Sequence, residues 1–231
     1  MQQLDRDRFP RMAAYLDALP KGIDSYPDAQ AKGSIFRTLL TSRPLALAGL
    51  PQTSLPEPIA ALARELPLPN EWIPEVWLMC VSLGIADAYE LEDEEYLSWV
   101  YETNRDLFRG AYRLLMSLAS PELLLRGATL RWMYFHRGTE LLTEPAGPGQ
   151  GNLILSFPHR LFAGLALRHF TAVFGAPLKL CVAHALVELE RVGDEQAVFR
   201  CRWGAAALAA ASEGARPQSP RADAGAPGIP P

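Results

Sequence analysis

His136 and His159 are the side chains in this sequence whose type and placement come nearest to a reactive site. They flank a segment that alternates like a hairpin, so folding can bring the two imidazoles together, and paired imidazoles can ligate a metal. Neither sits in a His-x-His, Glu-x-x-His or Cys-x-x-Cys spacing. A histidine at the end of an element ordinarily makes plain hydrogen bonds, so no metal site is expected. His169 and His184, within a helix and a strand, read as structural. Cys80 lies in the most apolar run, where a thiol behaves as a small hydrophobe. With Cys181 and Cys201 it makes an odd, widely spaced set, which fits a reducing, cytoplasmic compartment rather than a disulfide framework. Gly147-Pro-Gly-Gln-Gly151 has spaced glycines, but a phosphate cradle opens a helix, and Pro148 lacks an N–H donor. Lys32-Gly33-Ser34 has no Gly-x-x-x-x-Gly before it, and no Gly-x-Ser-x-Gly elbow occurs. The expectation is a protein that is not an enzyme.

Charge offers a second kind of site. Glu90, Glu92, Asp93, Glu94 and Glu95 form an acidic cluster, and Arg105, Arg109 and Arg113 follow at four-residue spacing on one helical stripe. Guanidinium groups arrayed in this way can grip a carboxylate, a phosphate or an acidic partner surface. A solvated face with local pairs such as Glu102–Arg105 is the plainer alternative. The whole chain of 231 residues carries a net charge of −4, which argues against a nucleic-acid binder. Its 49% hydrophobic and 21% charged residues are those of a globular protein. The N-terminus is polar, so no secretion signal is expected. The longest apolar stretch, Val76 to Ala86, falls short of the ~20 residues of a membrane span.

The elements that must position these groups change rhythm along the chain. Helical spacing predicts helices over Phe9 to Leu19, Ala29 to Ser42, Pro58 to Glu65 and Pro74 to Tyr89, the last with almost no polar face. A long helix from Asp93 to Leu118 and another from Pro121 to Phe135, capped by Ser120, follow. Beyond Gly138, strands over Glu140 to Thr143 and Asn152 to Phe157 precede a helix from Leu161 to Phe174, ended by Gly175 and Pro177. Strands over Leu178 to Arg191 and Gln196 to Trp203 complete the pattern. A register that sets Leu189 beside Phe199, Val187 beside Cys201 and Glu188 beside Arg200 sorts apolar from charged faces. The fold class is α+β: an N-terminal helical layer, then a β-β-α-β-β antiparallel sheet, as a single domain over 1–203. Residues 204–231, alanine-rich and then proline- and glycine-rich, read as a disordered tail.

Four segments carry a resemblance: Trp72-Ile-Pro-Glu-Val-Trp77, Trp99-Val-Tyr-Glu-Thr-Asn-Arg105, Arg131-Trp-Met-Tyr-Phe-His-Arg-Gly138 and Phe199-Arg-Cys-Arg-Trp203. They resemble an uncharacterised bacterial family of roughly 200-residue proteins, mainly from myxobacteria, which implies no particular chemistry. More distantly, helices followed by β-β-α-β-β resemble the superfamily of heme–nitric-oxide binding domains, 4-vinyl-reductase-like sensors and TRAPP vesicle-tethering subunits. That likeness implies an apolar cavity between helices and sheet, or dimerisation through helices. It implies a non-enzymatic sensory or adaptor domain for a small apolar ligand, with Trp77, Cys80, Trp132, Phe135, His136, Phe157, His159 and Phe162 as candidate lining. In TRAPP-like subunits a cysteine can carry an acyl chain into the cavity, the role Cys80 would take. Heme-binding members hold the propionates with Tyr-x-Ser-x-Arg. The matching segment here is Ser156-Phe157-Pro158-His159-Arg160, where only Arg160 agrees, so no cofactor is expected and heme is disfavoured. The alternative function is a protein-interaction scaffold in cytoplasmic signalling, homodimeric or with a signalling partner, using Arg105, Arg109 and Arg113.

Overall fold

The computed structural model describes residues 4–45, 54–107, 118–162 and 164–214. Among them the chain runs α1 (Pro10–Asp17), β1 (Gln30–Lys32), α2 (Gly33–Ser42), α3 (Glu57–Arg64), β2 (Trp72–Pro74), α4 (Glu75–Ala88) and α5 (Asp93–Asp106). It continues through α6 (Pro121–Arg126), α7 (Ala128–Phe135), β3 (His136–Arg137), β4 (Glu140–Pro145) and β5 (Gln150–Ser156). Helix α8 (Leu165–Cys181), β6 (Ala185–Val192), β7 (Gln196–Trp203) and α9 (Ala205–Gly214) complete it. The result is a single α+β domain in which a helical layer precedes a four-stranded antiparallel sheet of order β4-β5-β7-β6.

Helix α4 forms where Pro74 caps a run of good helix formers, and Glu75 in its first turn faces the positive end of the dipole. Every residue from Val76 to Asp87 except Trp77 is buried. At Gly84 a Cβ would stand 2.5 Å from Met12 Cε of α1, so the Met12 side chain fills the space that glycine leaves. Asp87 accepts from the backbone N–H groups of Arg11 and Met12, both at 3.1 Å, and so pins α1 onto α4. Burial raises the Asp87 carboxyl above its ordinary range. The sequence reading of α4 as the central helix holds. Helix α5 begins with a capping box between Glu92 and Glu95, and Ser120 caps α6 through Leu123 N–H at 3.2 Å.

Several boundaries differ from expectation. The helix expected over Ala29 to Ser42 starts as β1, which pairs with β2 and β3 in a small sheet of order β2-β1-β3. Strands of two or three residues are too short to show a period, so sequence pattern does not reveal them. Gly127 divides the expected helix from Pro121 to Phe135 into α6 and α7. Helix α8 continues through Pro177 to Cys181, where a strand was expected. Ala176 and Leu178 are buried, and tertiary burial outweighs the lost hydrogen bond of one proline. Ala205–Gly214 is helical with Ala207 buried, within the stretch expected as tail, and residues 215–231 lie outside the described residues.

The final hairpin has the expected pairs Leu189–Phe199, Val187–Cys201 and Glu188–Arg200, with Phe199, Cys201 and Trp203 buried. An irregularity between Leu189 and Arg191 shifts the pairing near the turn, so Val192 faces Ala197 rather than Gln196. The shift lets Arg200 pair with Glu190 at 2.5 Å, while Arg202 takes Glu188. Replacing Cys201 by Ser should therefore cost about 1–3 kcal/mol, the penalty of a buried hydroxyl without a partner. Arg200→Ala should cost less than about 1 kcal/mol, as a half-exposed ion pair does. Urea unfolding of the two variants checks the register, and the opposite order of damage would refute it.

Candidate functional site

Because α4 is enclosed, its polar side chains must be satisfied by other elements. Two of them build polar clusters in the interior. The first joins Glu75 to His136 at the start of β3. Glu75 Oε1 takes the His136 Nδ1 position, with the Glu75 side chain 0% exposed and that of His136 10%. The second carboxylate oxygen, Oε2, is buried without a hydrogen-bond partner. Trp132 of α7 lies flat on the His136 ring, centroids 3.8 Å apart and planes at 11°, and donates its indole N–H to Thr139 at 3.1 Å. Register places His136 opposite Ala31 of β1, and Gly138 then turns the chain into β4 with φ +67°. A Cβ at Gly138 would meet the Asp28 carbonyl at 2.6 Å, so glycine is what lets the strand pass this close.

The second cluster joins Ser82 of α4, Tyr96 of α5 and His169 of α8. Ser82 Oγ and the Tyr96 hydroxyl are 2.6 Å apart, and that hydroxyl is 2.7 Å from His169 Nδ1. Burial, with the nearby His136 as a smaller cause, pulls His169 down to about 4, so its imidazole is neutral at pH 7. Nδ1 can then accept from Tyr96, whose own ionisation burial pushes up. Ser82 Oγ also lies 3.4 Å from His169 Nδ1, but an imidazole of such low basicity is a poor general base.

The structure distributes the candidate residues unevenly. Trp132 and His136 are stacked, Phe157 packs on Phe162 at 5.2 Å, and Phe170 touches both groups, at 5.7 Å from Trp132 and 4.9 Å from Phe162. Phe170, Phe174 and Phe199 occupy the space between α8 and the sheet, where a ligand was expected. Cys80 is fully buried with its thiol pushed up by burial, and Trp77 is partly buried beside it on α4. Phe135 packs edge-on against Tyr134 at 4.9 Å. His159 does not join His136: its side chain is exposed, 3.8 Å from Glu195. Arg160 is likewise superficial, 3.2 Å from Asp194. Arg105 is paired with Glu102 and, at 3.9 Å, Asp106, while Arg109 and Arg113 lie outside the described residues. The sequence reading missed Glu75, Ser82, Tyr96 and His169 as a set. A carboxylate opening an otherwise apolar helix was the available signal for Glu75.

Two open hollows lie near these clusters. One of about 650 Å³ runs between α2 and α5 over Thr38, Ser42, Trp99 and Thr103. A second, about 430 Å³, is lined by Gly138, Thr139, Glu140, Ser156, Phe157 and Pro158. Among the described residues no group of three or more metal-ligating acids, histidines or cysteines occurs, and no helix is long and apolar enough to cross a membrane.

No family model and no curated protein matches this chain, so the likeness to the myxobacterial family remains one of motifs. Solved structures do match. One, from work on modulating heme redox potential through porphyrin distortion, is 10% identical with a TM-score of 0.49, covering 74% of this chain and 97% of its own. A Cs H-NOX mutant carrying 4-cyano-L-phenylalanine is 12% identical with a TM-score of 0.46, covering 74% and 96%. The Fe(II) unliganded H-NOX protein from K. algicida is 12% identical with a TM-score of 0.45, covering 75% and 96%. These matches correct the expectation that no cofactor applies and heme is disfavoured. The first of these structures comes from work on heme.

Two outcomes follow from the clusters. His136→Ala strands a buried carboxylate and should cost about 3–5 kcal/mol in urea unfolding at pH 7, whereas Glu75→Leu with His136→Leu should regain most of that loss. For His169, the unfolded chain binds a proton near pH 6.5 that the folded imidazole refuses until about 4. Stability therefore falls as pH drops through that window, by about 2 kcal/mol from pH 7 to pH 5. His169→Gln should remove this increment from the wild-type pH profile, and an unchanged profile would mean that His169 titrates normally.

Proposed function

We propose that this protein is a non-enzymatic, sensory ligand-binding domain whose ligand is received at the buried Glu75–His136 pair. The observation that carries this reading is Glu75 Oε2, fully buried and unpartnered while Oε1 holds His136. An interior carboxylate oxygen without a donor is costly, and native proteins keep such groups where another species completes them. Trp132, stacked on His136 and packed on Phe170, brings apolar surface to the pair, and small-molecule sites combine such surface with a few polar groups. The ligand class is a small, largely apolar molecule bearing one hydrogen-bond donor or cationic group for Oε2. Catalysis is disfavoured by the chemistry of the nucleophiles. Burial raises the Cys80 thiol and pushes that of Cys201 up to about 12, away from the reactive thiolate, and Ser82 faces a weakly basic histidine.

Heme would be a different case, held through His136 and leaving Oε2 without a donor. An imidazole whose Nδ1 is held by a buried carboxylate, leaving Nε2 as the ligating position, is the arrangement of metal-bound histidines. His136 would hold the iron with Glu75 behind it, and Trp132 would fix the ring plane. The iron would supply a coordination position for a small gas molecule. Arg160 stays with Asp194 and takes no part.

The test combines native mass spectrometry of the full chain from its host with a hemin titration followed by absorbance. The expected result is a retained small molecule, or a stoichiometric Soret band, that Glu75→Gln and His136→Ala both remove. A chain that releases nothing on denaturation and gives no Soret band with hemin would overturn the proposal.

A further inference from the structure

The outer face of the small sheet carries cations on aromatic rings. Lys32 of β1 stands opposite Trp72 of β2, and Gln30 opposite Arg137 of β3, while Ala31 and Ile73 between them are buried. Alternation along the strands therefore sets Lys32, Trp72 and Arg137 on one outward face. The Arg137 guanidinium lies 3.8 Å from the centre of the Trp72 ring, and Lys32 Nζ lies 3.5 Å from that of Tyr134. Tyr134 links this face to the exposed side of α7, where Leu130, Met133 and Tyr134 are 73%, 64% and 59% exposed. Their spacing of three and four residues makes one helical ridge.

Elsewhere Arg6, Arg64, Arg160 and Arg202 end on carboxylates, while Arg43 and Lys179 lie over rings singly. Among the described residues, Lys32 and Arg137 have no ion pair and rest on rings instead. Cations held in this way keep their charge available to an incoming anion, and the rings fix their positions. Trp, Tyr, Arg and Met are also the residue types that anchor protein interfaces.

We propose that this face docks an acidic, amphipathic helical segment of a partner protein. Its apolar side would lie along Leu130 and Met133, and its carboxylates would meet Lys32 and Arg137. Charge complementarity selects this occupant. Two cations give an anionic membrane only about 2 kcal/mol of attraction. The docking face is a partner surface additional to the Arg105, Arg109 and Arg113 stripe read from the sequence. It is separate from the Glu75–His136 pair, because β3 sends neighbouring side chains to opposite faces.

The experiment measures fluorescence anisotropy of a labelled amphipathic peptide of about four helical turns, with leucines on one face and glutamates on the other. A peptide with lysines in place of the glutamates serves as its partner probe. The full chain should bind the acidic peptide, more weakly at high salt, and should not bind the basic one. Lys32→Glu with Arg137→Glu should weaken acidic-peptide binding by at least about tenfold and confer binding of the basic peptide. Leu130→Asp with Met133→Asp, at exposed positions that leave the fold intact, should weaken acidic-peptide binding. Equal binding of the two peptides, or binding unchanged in both double variants, overturns the proposal. Binding to phosphatidylserine vesicles in place of the acidic peptide would do so too, as would a dimer in light scattering that the charge reversal abolishes.

Discussion

Helix α4 has almost no side that meets water, and that constraint organises the molecule. A helix enclosed on every side can be apolar throughout, or it can carry polar groups that other elements must satisfy. This one carries Glu75, Ser82 and Asp87, all buried. Each draws a different part of the chain inward. Asp87 holds the N-terminus of α1, Ser82 meets Tyr96 and His169 of α5 and α8, and Glu75 binds His136 at the edge of the small sheet. The first two are closed within the protein. The third is open by one oxygen atom, and the functional reading rests on that atom.

The aromatic residues explain why the opening lies there and not beneath the large sheet. Phe162, Phe170, Phe174 and Phe199 interlock between α8 and β7 with centroid separations of 4.9–6.4 Å. Interlocked rings of this kind fill space and fix position, so that layer serves as the rigid support of the site. Trp132 belongs to both parts, packed on Phe170 on one side and on His136 on the other. It couples the orientation of the imidazole to the packing of the sheet.

The surface is organised by charge rather than by burial. Arg168 reaches across from α8 to Asp93 at 2.8 Å and Glu94 at 2.5 Å, absorbing part of the acidic cluster that opens α5. Arg105 turns to its own helix. Asp93 and Glu94 of the acidic cluster and Arg105 of the basic stripe are thus locally paired, and Arg109 and Arg113 lie outside the described residues. Of the cations that rest on rings, Lys32 and Arg137 lie on the far smaller β2-β1-β3 sheet, brought together by strand register, and Arg43 and Lys179 lie elsewhere.

The sequence by itself determined the α+β class, the central place of α4, the β-β-α-β-β order and the inward face of the last hairpin. Those features rest on hydrophobic period, which is local and repeats over many residues. It also singled out Trp132, His136, Phe157 and Phe162. Only the tertiary structure decided which of these meet, because partnership across 61 residues between His136 and Glu75, or 73 between Tyr96 and His169, leaves no local pattern. The small sheet escaped for the same reason, its strands being shorter than one period of evidence. So did the fate of His159 and of Arg160, which pair with Glu195 and Asp194 in the turn after β6. A charged side chain takes whichever partner the folded chain brings within reach, and that distance is fixed by packing, not by position in the sequence.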